Sequence, residues 1–265
     1  MTQSLHFSKY HGAGNDFIIV DAQDLGSITL SESQIALWCH RRFGIGADGF
    51  MVYEGPTHTD KAFTMRYYNA DGKQGSMCGN GGRCIVRYAY ERKGAPSSMQ
   101  FRFGKDVYRA EVHAVDNISL NMLPVRTLNV QEDQSCFCDT GSPHHVEWVD
   151  SGLHELDVSQ SGRSMRDRYG AEGCNINFVE IINDSELAVR TYERGVEDET
   201  LACGTGVTAA VLSAHHMGKI QSTSVKVNAL GGLLEVDFKS GEMGYEDIVL
   251  TGPAEYVFDG NISVQ

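Results

Sequence analysis

Residues 77–89 read M-C-G-N-G-G-R-C-I-V-R-Y-A, and residues 202–212 read A-C-G-T-G-V-T-A-A-V-L. Each stretch puts a cysteine, Cys78 or Cys203, one residue before a glycine–polar–glycine turn that leads into a run of helical spacing. The first turn of a helix leaves N–H groups without intrahelical partners and carries the positive end of the dipole, which biases a cysteine there toward thiolate. The same N–H groups can hold a carboxylate, so one turn can bind an anion and present sulfur beside it. A lone cysteine in such a turn is more often a small buried hydrophobe. Here the turn occurs once in each half of the chain. Two such turns facing one ligand would set a base on either side of a single atom. That suits inversion of a stereocentre, one sulfur removing a proton from one face while the other delivers a proton to the opposite face.

The surroundings of the two cysteines repeat as well. R-Y-Y-N (66–69) precedes Cys78 much as R-T-Y-E (190–193) precedes Cys203. Residues 80–93 have helical spacing at Ile85, Val86 and Ala89, with Arg83, Arg87 and Glu91 on other faces, and stop at Gly94 and Pro96, which predicts an amphipathic helix. Residues 205–217 are apolar nearly all round, through Val207, Ala209, Ala210, Val211, Leu212 and Ala214, and predict a helix in the centre of its domain, closed by a C′ glycine at Gly218. Ser31-Glu32-Ser33-Gln34 is a capping box opening a short helix through Cys39. Alternating apolar runs predict strands at 16–21, 50–54, 62–68, 99–103, 107–112 and 118–122, then at 145–149, 176–182 and 187–192, with more to 250. The 29 glycines against five prolines suit strands joined by tight turns. The expected fold is α+β, with two pseudo-symmetric domains, each a mostly antiparallel sheet or barrel wrapped around a central helix. Residues 1–123 would carry Cys78 and residues 124–253 Cys203, with a strand in 254–265 packing back on the first domain. The ligand would lie in the cleft where both helix N-termini meet.

Composition narrows the function. A chain of 265 residues can bury a sizeable core in one large or two small domains. With 22 Lys and Arg against 35 Asp and Glu, the net charge of −13 argues against nucleic acid or an anionic membrane as partner. No run approaches the ~20 apolar residues of a membrane span, and no basic segment followed by an apolar run opens the chain. These features lead us to expect a cytoplasmic protein. Its seven cysteines are an odd number without C-x-x-C spacing, so neither a disulfide framework, a thiol redox pair nor a zinc site is expected. The segment F-G-I-G-A-D-G (43–49) lacks the Lys-Ser/Thr ending of a phosphate loop, which excludes the obvious nucleotide motif.

Seven segments in chain order resemble the diaminopimelate epimerase family: G-A-G-N-D-F (12–17), F-G-I-G-A-D-G (43–49), Y-N-A-D-G (68–72), M-C-G-N-G-G-R-C (77–84), G-S-P-H (141–144), Y-E-R-G (192–195) and A-C-G-T-G (202–206). The likeness spans nearly the full length. It implies an isomerase, independent of pyridoxal phosphate and of metal, that interconverts L,L- and meso-diaminopimelate in lysine and peptidoglycan precursor synthesis and forms a homodimer. Carried over residue by residue, it makes Cys78 and Cys203 the two acid/base residues. Gly79, Asn80, Gly204 and Thr205 would supply N–H groups to the reacting carboxylate, and Asn15 and Asn69 would orient the substrate. Asn175 and Arg194 would bind the distal carboxylate, as the paired donors of Arg and the mixed donor and acceptor of Asn allow. Glu193 would hold an ammonium group near its cysteine, and His144 would neighbour the other. Three departures mark the distal pocket. Ser142 stands where many members carry Asn, Gly49 where some carry Gln, and the segment after Arg194 is one residue longer, adding Glu197 and Asp198 beside the site. The alternatives are an epimerase or racemase of another amino acid, such as proline or hydroxyproline, whose small apolar pocket would have no use for Arg194 and Asn175, and a noncatalytic amino-acid binder.

Overall fold

The structure, a computed structural model, describes residues 3–57, 61–114 and 116–264. Two compact units divide the chain, Met1–Leu120 with Ala254–Gln265, and Asn121–Pro253. In order along the chain come β1 (Gln3–Gly12), β2 (Asn15–Asp21), α1 (Ala22–Leu25), α2 (Glu32–Cys39), β3 (Gly49–Glu54), β4 (Phe63–Asn69), α3 (Gly79–Lys93), β5 (Ser98–Phe103), β6 (Asp106–Ala114) and β7 (Asn117–Asn121). There follow β8 (Leu128–Val130), β9 (Cys136–Asp139), β10 (Pro143–Trp148), α4 (Val158–Arg166), β11 (Asn175–Asn183), β12 (Glu186–Glu193), β13 (Asp198–Thr200), α5 (Gly204–His216), β14 (Ser224–Ala229), β15 (Gly232–Gly241), β16 (Gly244–Gly252) and β17 (Glu255–Val264).

Strand pairing shows the repeat directly. In the first unit β17 lies antiparallel to β1 and β1 to β2; β2 is parallel to β3, β3 antiparallel to β4, β4 parallel to β5, and β5, β6 and β7 run antiparallel in turn. In the second unit β8, β9, β10, β11, β12, β14, β15 and β16 follow the same succession of antiparallel and parallel neighbours. A parallel pair cannot be joined by a hairpin and needs a crossover. The crossovers of the first unit contain α1 with α2, then α3; those of the second contain α4, then α5. The fold is therefore α+β in two equivalent halves, each mostly antiparallel, with a helix on each crossover.

The second crossover helix is central in each unit. Every α5 residue from Gly204 to Ala214 is buried, as its all-round apolar sequence requires. In α3 the sequence pattern misleads. Residues Gly79–Ala89 are all buried, including Arg83 at 0% and Arg87 at 6% exposure. Arg87 is accommodated by an ion pair to Glu91 at 2.8 Å and a hydrogen bond to the Ala254 carbonyl at 2.7 Å. The sheet encloses the first three turns, and only the last turn keeps the solvent face that an amphipathic helix would show. Both helices end at left-handed glycines, Gly94 and Gly218, each at φ 67°. The Ser31 hydroxyl accepts from Gln34 N–H at 3.2 Å, closing the α2 cap. Strands β1, β8, β9, β13 and helices α1 and α4 are additions to the sequence-based expectation. Among the described residues no helix is long and apolar enough to cross a membrane.

Candidate active site

In the first unit Cys78 is the N-cap of α3, in extended conformation (φ −110°, ψ 116°), and its sulfur accepts the Gly81 N–H at 3.4 Å. The helical ladder starts with Gly82 N–H to the Cys78 carbonyl at 2.8 Å, which sets the N–H groups of Gly79 and Asn80 ahead of it. A Cβ at residue 82 would lie 2.8 Å from Met77 Cε and 2.9 Å from Leu120 Cδ2, so glycine there lets the turn seat deeply in the core. Asn15, the first residue of β2, receives both Asn80 Nδ2 (3.3 Å) and the Cys78 S–H (3.7 Å) on its Oδ1. Asn15 Nδ2 in turn donates to Asp48 Oδ2 at 2.7 Å. Asn69 ends β4. Because Phe17 aligns with Gly49 and Gly49 with Asn69, Asn15 and Asn69 lie at the same end of the sheet.

The second unit builds a matching end. Cys203 is the N-cap residue of α5 in the same extended conformation (φ −119°, ψ 107°), but its sulfur makes no capping bond to the helix backbone and has the Thr205 hydroxyl at 3.5 Å. The Thr140 hydroxyl donates to the Thr205 carbonyl at 2.8 Å and ties the turn to the β9–β10 connection. Register places His144 opposite Asn175, with Glu193 next after the Ile176–Tyr192 pair, so the starts of β10 and β11 and the end of β12 converge. Asn175 Nδ2 donates to Ser142 Oγ (3.0 Å) and to the Pro143 carbonyl (3.3 Å), and its Oδ1 accepts the Arg194 backbone N–H at 2.9 Å. Ser142, Asn175 and the Arg194 backbone thus form one polar cluster, the serine of G-S-P-H among its members, while the Arg194 guanidinium donates to the Glu172 carbonyl at 3.3 Å.

Asn177 lies between His144 and the turn that follows Cys203. It is fully buried, donates to the His145 carbonyl (2.9 Å) and meets His144 Nδ1 at 3.1 Å through the same Nδ2, while its Oδ1 accepts from the Thr191 hydroxyl at 3.0 Å. A carbonyl only accepts, so the atom facing it is the amide nitrogen; His144 Nδ1 is then the acceptor and the ring proton is on Nε2. Burial, and after it the charge of Arg194, lower the His144 pKa to about 3. His144 is therefore a neutral imidazole, and its buried Nε2 has no hydrogen-bond partner among the described residues. A Cβ at Gly206 would collide with Asn177 Oδ1 and lie 3.3 Å from the Cys203 Cβ, so the glycine of A-C-G-T-G is what lets Asn177 reach the turn.

Glu197 and Asp198, the acidic residues of the longer segment, are both paired within the second unit. Glu197, at φ 59°, accepts from Gly195 N–H (3.1 Å) and the Tyr192 hydroxyl (3.2 Å) and pairs with Arg166 of α4 at 3.1 Å. Asp198 accepts from the Ser159 hydroxyl and from Glu199 N–H. The β12–β13 turn and the polar helix α4 take up both charges. The residues that sequence reasoning missed are Asp48, Arg83 and Asn177. Asn177 had a usable signal, a polar residue inside the apolar run I-N-F-V. The remaining cysteines, Cys39, Cys84, Cys136, Cys138 and Cys174, are buried thiols whose pKa burial raises, to about 12 at Cys39, Cys138 and Cys174.

Each unit thus offers a helix N-terminus able to hold a carboxylate, a sulfur beside it, and amide side chains on the adjoining strand ends. The family model described as diaminopimelate epimerase matches residues 7–128 and 136–257. A curated diaminopimelate epimerase of Flavobacterium psychrophilum is 43% identical over 96% of this chain and 98% of its own length. One of Chlorobaculum tepidum is 43% identical over 96% and 99%. Among solved structures, a hydroxyproline epimerase from Agrobacterium vitis superposes with a TM-score of 0.74 over 99% of this chain and 93% of its own, at 11% identity, a likeness of fold alone.

Proposed function

The chain belongs to the diaminopimelate epimerase family, and from that premise we infer that it inverts one stereocentre of diaminopimelate with Cys78 and Cys203 as paired acid and base. One thiolate removes the α-proton and the other thiol protonates the opposite face; the reverse direction exchanges the roles. The two must hold unlike protonation states, so they titrate as a pair. The observation that carries this reading is that both cysteines occupy the N-cap position of the central helix of their unit, Cys78 against the Asn15 amide and Cys203 against the Thr205 hydroxyl.

An amino-acid α-proton is a very weak acid, and stabilising the developing negative charge is the main task. A helix dipole contributes about 0.3–2 kcal/mol at each terminus, and losing one well-placed N–H donor costs about 2.7–4 kcal/mol. Gly79, Asn80, Gly204 and Thr205 supply such donors. Asn15 and Asn69 orient the substrate, and Glu193 takes an ammonium group. Ser142, Asn175 and Arg194 receive the distal carboxylate, a role that the Ser142–Asn175–Arg194 cluster supports. The neutral His144 offers its Nε2–H to the ligand. The same cluster disfavours proline or hydroxyproline as substrate, since neither has a second carboxylate. A homodimer rests on the family resemblance and is tested by light scattering; a cytoplasmic location rests on the composition of the chain.

The deciding experiment is epimerisation of L,L-diaminopimelate in deuterated water, alongside a panel of single amino acids including proline. We expect deuterium at the inverted carbon, no turnover of proline, and a loss of several orders of magnitude in Cys78→Ser and Cys203→Ser with unchanged circular dichroism. Product without deuterium, or wild-type turnover by either variant, would refute the two-thiol scheme.

A further inference from the structure

Four side chains of the first unit form a hydrogen-bond chain with a fixed direction. Arg83 donates to Asn80 Oδ1 (2.7 Å), Asn80 Nδ2 to Asn15 Oδ1 (3.3 Å), and Asn15 Nδ2 to Asp48 Oδ2 (2.7 Å). A guanidinium can only donate and an ionised carboxylate can only accept, so the two ends leave neither amide free to turn over. Asp48 is itself anchored: Arg41 bonds its Oδ1 at 2.6 Å and Asp16 N–H its Oδ2 at 3.1 Å, while Asp16 is held by Arg41 in two contacts and by Lys9 at 2.7 Å.

We propose that Asp48 is a positioning residue that acts through Asn15: by accepting from Asn15 Nδ2 it aims the amide oxygen at the Cys78 sulfur and holds Cys78 in the thiol form in the free enzyme. The inference rests on the two-cysteine reading and adds an order to it, with Cys78 the resting proton donor. A thiol satisfies both neighbours at once, donating S–H to Asn15 Oδ1 at 3.7 Å and accepting the Gly81 N–H at 3.4 Å. A thiolate would keep Gly81 but face the lone pairs of an amide that cannot rotate away. The charge of Arg83 on the same helix acts in the other direction, favouring the thiolate, and Cys84 also faces Cys78 from α3. From the sheet side come Asp16 and Asp48, both paired with Arg41. The fixed amide oxygen therefore works against the helix N-terminus, and substrate that engages Asn15 would release Cys78 from it.

The test reads thiol reactivity rather than turnover, so its failure leaves the epimerase reading intact. Full-length enzyme is alkylated with iodoacetamide from pH 6 to 10, and the rate at Cys78 is followed by site-resolved mass spectrometry. Asp48→Ala removes the acceptor of Asn15 Nδ2 and leaves the longer Asn80 bond as the hold on that amide, so its oxygen is no longer aimed at the sulfur by both ends. The expected result is at least a threefold faster reaction at pH 7, with the midpoint of the profile moved to lower pH. Asn15→Ala should give a similar gain, and adding Asp48→Ala to it should change nothing further. An unchanged profile in a folded Asp48→Ala variant overturns the proposal. So does an acceleration that persists in full on the Asn15→Ala background, since that would mark a simple loss of negative charge. If Asp48→Ala does not fold, Asn15→Ala serves alone: it removes the amide oxygen from beside the sulfur, and an unchanged profile there is equally fatal.

Discussion

Asn177→Ala should be strongly destabilising. The side chain is fully buried and makes three hydrogen bonds, to the His145 carbonyl, to His144 Nδ1 and from the Thr191 hydroxyl. Each partner is buried, and a buried polar group left unsatisfied costs about 1–3 kcal/mol, so losing all three should lower stability by about 3–9 kcal/mol. That is a large part of the ~5–15 kcal/mol available to a folded domain. Asn177→Asp is the sharper companion, because it keeps the volume and the acceptor for Thr191 but removes both donated bonds and buries a charge. Urea unfolding gives the stability, and nitrogen-15 shifts of the His144 ring give the tautomer. We expect the wild-type ring protonated on Nε2 alone, and in any folded variant a mixture of the two neutral tautomers with reduced epimerisation. A loss below about 1 kcal/mol in Asn177→Ala, with His144 still on a single tautomer, would refute the reasoning.

Acid should unfold the protein in two stages. His144 is held near 3 against an ordinary value of 6.5, so its contribution is whole above pH 6.5 and is lost as pH falls toward 3, at up to about 1.4 kcal/mol per pH unit. A His144→Gln variant should lack that early slope in a pH series of urea titrations. Burial alone would raise Asp16, but the bonds from Arg41 and Lys9 take it to about 2, so its share is present above pH 3.8 and disappears only as pH falls toward 2. Arg41→Ala should bring this later loss to higher pH in the same series. Alkylation at neutral pH should modify Cys78 well before Cys39, Cys84, Cys136, Cys138 and Cys174, which burial keeps protonated; early labelling of any of the five, read by mass spectrometry, would contradict their placement in the core.

Local chemistry was legible wherever one segment determined it. The caps at Ser31, Cys78 and Cys203, the left-handed glycines at 94 and 218, and the all-round apolar α5 follow from short-range rules. Helix α4 was not, because S-Q-S-G-R-S-M-R has weak propensity and its Gly162 is explained only by Tyr192, against which a Cβ would collide. Arg83 looked like a surface residue because nothing local shows that a sheet closes over α3. Asp48 and Asn177 needed their distant partners, Asn15 and His144, before either could be told from a turn residue or an irregular strand position.

The pairing of β1 with β17 sets Gln3 opposite Val264. During synthesis on the ribosome the half formed by residues 121–253 is continuous and can complete its own strand order as soon as it emerges, whereas the half that is translated first must wait with β1 exposed along one edge until the closing strand is made. Closure over so long a separation is slow. Vectorial translation thus completes the later half before the earlier one, and a nascent chain stalled before residue 255 should expose an open strand to chaperones.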